Sequence, residues 1–322
     1  MAVQSGKQWQ LLTALETGNM GTANSTDAEF YALTVTNVSD LDWGGVTHEA
    51  NLRTGQQVKK STDHYVSQKG ASYTVGFEWV VDQEEPFQNL LYLATDDSSS
   101  AYEIAGSYTG GAYVHGGNPT PPLATVVVES SDAVNDRTLT SCGLNELTLS
   151  LSSGSEGGRL VASGTFYTGY KPTIGDSGIT SFTTGTAYNK SIYDCTTALI
   201  DTDAVLVKDF SMTISNPLMR VGYQGGNGDP SEYARAGEVA VSGSISVKYD
   251  TASDDALADW LGGTAKNISL GDGSTGFDID IPSAMYMGHN IDLGDSEEGV
   301  FVEIPFEGTA ISTAKLVTIN AT

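Results

Sequence analysis

At 322 residues, with 40 acidic against 15 basic side chains, the chain carries a formal charge of −25. That balance excludes a basic groove that neutralises phosphates, and no run of 18 apolar residues is present to form a spanning helix. Thirty-seven glycines and short stretches rich in Val, Ile and Tyr favour strands joined by tight turns.

In chain order, the first 21 residues hold neither a long apolar region nor a small-residue cleavage site. A secretory signal is therefore not expected, and folding inside a cell is. Ala71–Asp82 alternates apolar and polar residues and predicts a strand; Gln88–Ala94 then predicts a short helix after an acidic turn. From Ser98 to about residue 135 the chain turns Gly-, Ser- and Pro-rich, which predicts a long loop or projecting hairpin. Leu144–Ser152 and Leu160–Phe166 predict a strand pair about a Gly-containing turn. Residues 171–197 lack apolar periodicity until Ile192 and read as a connector. Lys208–Asn216 and Glu238–Asp250 alternate again, and Ser253-Asp-Asp-Ala makes an acidic helix start before Leu257, Trp260 and Leu261.

These elements repeat. Asp82 falls on Asp250 and Leu93 on Leu261, both at an offset of 168. Gly154–Phe166 resembles Asp295–Phe306, with Gly158 on Gly299 at an offset of 141, so the first copy carries 27 extra residues between Leu93 and Gly154. Val46–Arg53 and Ile214–Arg220 hold similar places upstream. Residues 1–195 carry 21 acidic and 9 basic residues and residues 196–322 carry 19 and 6, so both copies share the acidity.

Three features together resemble the tail tube protein family of tailed phages and viruses: Leu11–Ala23, similar to that family's N-terminal "E…GT" segment; the pair Leu144–Ser152 and Leu160–Phe166; and Lys208–Asn216 followed, after a Gly-rich excursion, by Gly243–Asp250. The resemblance implies a mainly β fold with two tandem tail-tube-like β-barrel or β-sandwich domains, each with a short flanking helix. The first would span 1–170 with an insertion at about 98–135, the connector 171–197, and the second 198–322. It also implies a structural virion protein in the tail, assembled in the host cytoplasm, whose rings stack into a conduit for double-stranded DNA. With two domains per chain, a homotrimeric pseudo-hexameric ring is favoured and a hexamer remains open. Tail terminator, baseplate or tape-measure proteins are the further partners implied, and no membrane is.

An acidic lumen would repel DNA and let it slide. Candidate lumen residues are Glu78, Asp82, Asp250, Asp278 and Asp280, although Asp82 and Asp250 also suit strand-end turns. Tyr102, Tyr108 and Tyr113 on the Gly-rich loop are candidate contacts between rings.

No enzyme is expected. The chain has no phosphate loop, zinc-protease helix or dinucleotide fingerprint. Gly175-Asp-Ser-Gly178 matches the trypsin-like nucleophile tetrapeptide, with His48 upstream, but lies in the connector. Cys142 and Cys195 read as ordinary thiols. With His48, His64, His115 and His289 they show no metal-ligand spacing, so no metal or other cofactor is expected. The alternatives are another virion protein, such as a tail terminator or capsid decoration protein, and an exported adhesion or carbohydrate-binding β module. The latter would use Trp9, Trp43, Tyr102 and Tyr113 as a sugar platform and Gly271–Asp278 as a calcium loop.

Overall fold

The computed structural model describes residues 9–38, 48–49, 65–66, 72–97, 101–104, 106–109, 112–115, 121–130, 134–222, 229–273, 276–293, 299–310 and 315–321; the pairs 48–49 and 65–66 and the segments 106–109 and 112–115 are described as backbone. The fold is mainly β, with two 12-residue helices, α1 (Glu84–Thr95) and α2 (Thr251–Gly262).

A central antiparallel sheet runs through both halves of the chain. Its strands lie in the order Val35–Val38, Tyr73–Val80, Val161–Thr168, the C-terminal part of Arg137–Ser152, Val207–Ser215, Ala240–Lys248 and Phe301–Gly308. Asn290–Asp292 and the end of Phe277–Tyr286 follow beside Phe301–Gly308. Strict alternation makes these strands: Tyr73, Val75, Phe77 and Trp79 are buried, while Thr74, Gly76 and Glu78 face the other way.

The buried face is covered by a second layer and by α1. In the first half this layer contains Trp9–Leu15, Tyr31–Leu33, Ala124–Ser130 and the start of Arg137–Ser152. In the second half it contains Thr197–Ile200, Asp203–Ala204, Lys266–Gly271, Phe277–Tyr286 and Val317–Ala321. Arg137–Ser152 spans 16 residues and passes from one layer to the other, with a register shift between Leu144 and Glu146. One apolar cluster joins the layers and extends through both halves; Phe87, Leu90, Leu91 and Ala94 of α1 are buried in it.

The pairings of the first half recur in the second. Val75↔Phe166, Phe77↔Gly164 and Trp79↔Ala162 return as Gly243↔Phe306, Ile245↔Ile304 and Val247↔Val302. Ala124↔Cys142 and Val126↔Leu139, separated by a bulge, return as Lys266↔Ala284 and Ile268↔Ile281 with the same bulge. Val35↔Trp79, with a shift before Asn37, returns as Val207↔Val247 with a shift before Asp209. Leu12↔Ala32 returns as Leu199↔Ala204. Register is a strict criterion, because a slip of one residue turns every side chain to the opposite face.

The helices follow a slightly different frame. The N-caps are Gln83 and Asp250, and the C-caps are Asp96 (φ 64°) and Gly263 (φ 62°), so the helix offset is 167, one less than in the strands. Asp82 therefore lies one residue ahead of the place held by Asp250, and Leu93 falls on Trp260 rather than Leu261.

The stretch of about 98–135, expected to be an insertion, contains several strands. Tyr102–Ile104 pairs with Val317–Ala321, and Gly106–Thr109 pairs with Ala112–His115 in a hairpin. Ala124–Ser130 is a core strand instead, with Val126 and Val128 facing the main cluster. Val127 faces a smaller cluster on which Ile179 of the connector packs.

The connector lies along the first half. Thr180 and Ser181 donate to Asp27, Thr183 bridges Tyr31, and the ring of Tyr188 packs 5.6 Å from that of Phe87. Of the upstream match, residues 46–47 and 50–53 lie outside the described residues. His48–Glu49 pairs with Tyr65–Val66, as Leu218–Val221 pairs with Glu232–Arg235.

Candidate functional site

The face of the central sheet turned away from the core is a broad polar surface built by alternation. Each strand that sends Val, Leu, Ile or Phe inward sends short hydroxyls or carboxylates outward. Thr148 and Ser150 alternate with Leu147, Leu149 and Leu151; Ser211 and Thr213 alternate with Phe210, Met212 and Ile214; Ser242, Ser244 and Ser246 alternate with Val241, Ile245 and Val247. Close to the first edge it forms a shallow concavity lined by Asn37, Glu78, Glu146, Thr148, Ser163 and Thr165.

Six carboxylates lie on this face among the described residues: Glu78, Glu146, Asp209, Asp292, Glu303 and Glu307. Glu78 accepts a 2.8 Å hydrogen bond from Thr36, and Asp209 accepts one of 2.5 Å from Ser152. Thr148 and Thr213 are bonded to each other at 2.8 Å where the two halves of the sheet meet. Lys208 and Lys248 stand at one end, next to Phe301: Lys248 is its cross-strand partner, and the Lys208 ammonium lies 5.1 Å from its ring centre.

The sequence candidates occupy four different places. Glu78 lies on the polar face. Asp82 accepts a 3.0 Å hydrogen bond from the indole N–H of Trp79 at the end of the strand. Asp250 caps α2, accepting from the backbone N–H groups of Ala252 and Ser253. Asp278 and Asp280 lie on Phe277–Tyr286 in the second layer. Asp280 accepts from Asn267 at 2.6 Å, and burial with the neighbouring Asp280 charge raises the Asp278 pKa above the usual carboxylate range. Sequence reading missed Glu146, Asp209, Asp292, Glu303 and Glu307, although the alternation of Phe301–Gly308 already sets Glu303 and Glu307 opposite Val302, Ile304 and Phe306.

Tyr102 is half-buried beside Ile319, and burial pushes its pKa up to about 12. Tyr108 and Tyr113 are cross-strand partners in the hairpin, and their side chains lie outside the described residues. Trp9 packs against the core, and Trp43 and the side chain of His48 lie outside the described residues. In the Gly175–Gly178 turn the Ser177 N–H donates to buried Asp136, and the Gly178 N–H donates to Asp176. Cys142 and Cys195 are free thiols; burial raises both pKa values, that of Cys195 to about 12.

No curated protein matches the sequence. A family model described as phage tail tube protein matches residues 6–310, so the match takes in both halves of the central sheet and its polar face. The chain belongs to the phage tail tube protein family and is a structural component of a virion tail.

Proposed function

We propose that the protein builds its tube from rings in which the two halves act as tandem copies of one β unit. Three chains then supply six quasi-equivalent positions around a bore. The observation that supports the duplication is the recurrence of register and bulges between the halves. Divergent side chains on one inherited ladder explain it more simply than two independently acquired ladders.

The open polar face is the surface proposed to line the bore. A closed ring leaves that face inward as a continuous barrel wall without exposed strand edges. Of the five sequence candidates, the lumen assignment then rests on Glu78, joined by Glu146, Asp209, Asp292, Glu303 and Glu307. Their charge repels duplex DNA, which carries about one negative charge per ~1.7 Å of axis, and the hydroxyls between them offer no cationic grip. DNA slides past such a wall rather than binding to it. The hairpin carrying Tyr108 and Tyr113 is proposed to reach between rings, and the two tube ends to meet terminator, baseplate or tape-measure proteins.

The test uses assembled tubes and a short DNA duplex. Wild-type tubes are expected not to retain the duplex on pelleting at low salt. Tubes carrying Glu78→Lys, Glu146→Lys and Glu303→Lys are expected to retain it and to release it as salt is raised. Equal behaviour of the two would remove the acidic-bore assignment.

A further inference from the structure

The two halves share a ladder, and at both of its ends they differ in charge. At one end Val80↔Val161 of the first half returns as Lys248↔Phe301. At the same end the bulge residue Thr36, bonded to Glu78, returns as Lys208, whose ammonium lies 5.1 Å from the centre of the Phe301 ring. At the opposite end Thr74↔Tyr167 returns as Ser242↔Glu307. Tyr167 is buried, with its ring centre 5.9 Å from that of Tyr233, whereas Glu307 is exposed, as is Glu238 two residues before Ala240. The ladder ends are thus neutral in the first half and oppositely charged in the second, ~20 Å apart along the strands.

The end with the lysines is open to a neighbour. Lys248 is exposed, and its N–H donates to the carbonyl of Leu206, which is 65% exposed. Tyr249 and Val300, bonded through their backbones at 2.9 Å, continue this apolar rim. The nearby carboxylates are largely engaged within the chain. Asp209 accepts from Ser152, Asp250 caps α2, and Asp254 accepts from the Tyr249 hydroxyl; Asp292 stands across Phe301 from Lys248.

We infer that the two ends of the second half are complementary seats between rings, and that they fix the rotation of one ring on the next. Barrel strands tilt by about 35–45° from the axis, so their ends form the two rims of a ring. Lys208, Lys248 and Phe301 on one rim receive Glu238 and Glu307 of a second copy in the adjacent ring. A ring of three chains carries three such charged seats alternating with three neutral ones, so second half sits on second half at three angles rather than six. This rests on the reading of three tandem chains per ring, and it deepens that reading by giving the stack a direction and a rotational register. A stagger of one half would set the lysines against Thr74 and Tyr167, and Glu307 against Val80 and Val161, leaving charges at the joint without counter-ions. Complementary charge acts here on register more than on raw affinity. Seating also takes both lysines out of the bore, in keeping with a wall that does not hold DNA.

Charge exchange tests the seat. Lys208→Glu with Lys248→Glu makes both ends of the second half acidic, and Glu238→Lys with Glu307→Lys makes both basic. Each full-length double variant is expected to close into rings of wild-type mass and to lose tubes in negative stain at low salt. Mixing the two ring preparations is expected to restore tubes, because each altered end then meets its complement. Double variants that elongate alone as wild type does, or rings whose mixture elongates no better than its components, would overturn the seat while leaving the ring intact. Wild-type tubes supply a measurement that needs no variant. In a three-fold reconstruction, the half built on Ala240–Lys248 is expected to lie over the same half of the next ring, and a stagger of one half would overturn the register. Wild-type rings of six whole chains would remove the tandem reading, and the alternating seats with it.

Discussion

The carboxylate of Asp96 accepts a 2.8 Å hydrogen bond from the guanidinium of Arg235, joining the end of α1 to a hairpin of the second half. The Asp96 side chain is 1% exposed, and Arg235 also donates to Asn216. Removing one partner of a buried ion pair leaves the other charge without its counter-ion, at a cost of roughly 3 kcal/mol. Arg235→Ala is therefore expected to lower the stability by about that amount in urea denaturation. Arg235→Lys, which keeps the charge and loses the fork, is expected to fall between.

Asp82 separates a structural role from a lumenal one. Trp79 is fully buried, and its indole N–H has the Asp82 carboxylate as acceptor. Asp82→Ala strands that donor and is expected to cost about 1–3 kcal/mol, with a shift in tryptophan fluorescence. Asp82→Asn keeps an acceptor and is expected to cost less. A wild-type melting curve for Asp82→Ala would return this residue to the surface.

Gly243 allows close approach of strands rather than a turn. A Cβ there would stand 2.1 Å from the Ser211 carbonyl oxygen and 2.7 Å from the Phe306 ring. Gly243→Ala must push two strands apart and is expected to destabilise by about 1–3 kcal/mol. Gly18→Ala, where nothing lies within 4 Å, is the matched control with an expected change near zero.

Asp278 predicts a pH dependence of definite sign. Its folded-state pKa is raised by burial and by Asp280, so the native state binds this proton more tightly than the unfolded chain. The resulting penalty is fully present above the folded pKa and disappears as pH falls below the unfolded value of 3.8. Asp278→Asn is accordingly expected to raise Tm at neutral pH, with the gain shrinking as the solution is acidified. A gain that grew on acidification would contradict this account.

Local pattern was legible in the sequence, and long-range pairing was not. The strand-then-helix units at Tyr73–Val80 with α1 and Ala240–Lys248 with α2 follow from period-2 and period-3.6 spacing, which need only neighbouring residues. The one-residue difference between Asp82 and Asp250 was hidden because either suits a turn, and only the cap geometry separates them. Ala124–Ser130 was absorbed into the insertion because its apolar run has no alternation, the consequence of burial on both faces. Leu151 and Leu293 look alike in sequence; that one is covered and the other open depends on Val207–Ser215, more than fifty residues from Leu151. Tyr102 owes its burial to the last strand of the described chain, Val317–Ala321, which no local signal reveals.

Native mass spectrometry of the smallest closed assembly, paired with electron-microscopic class averages of the same sample, tests the central claim most directly. The expected result is three chains per ring, a six-fold outline and an open axis. A compact monomer with no opening, or a ring of six whole chains, would contradict it.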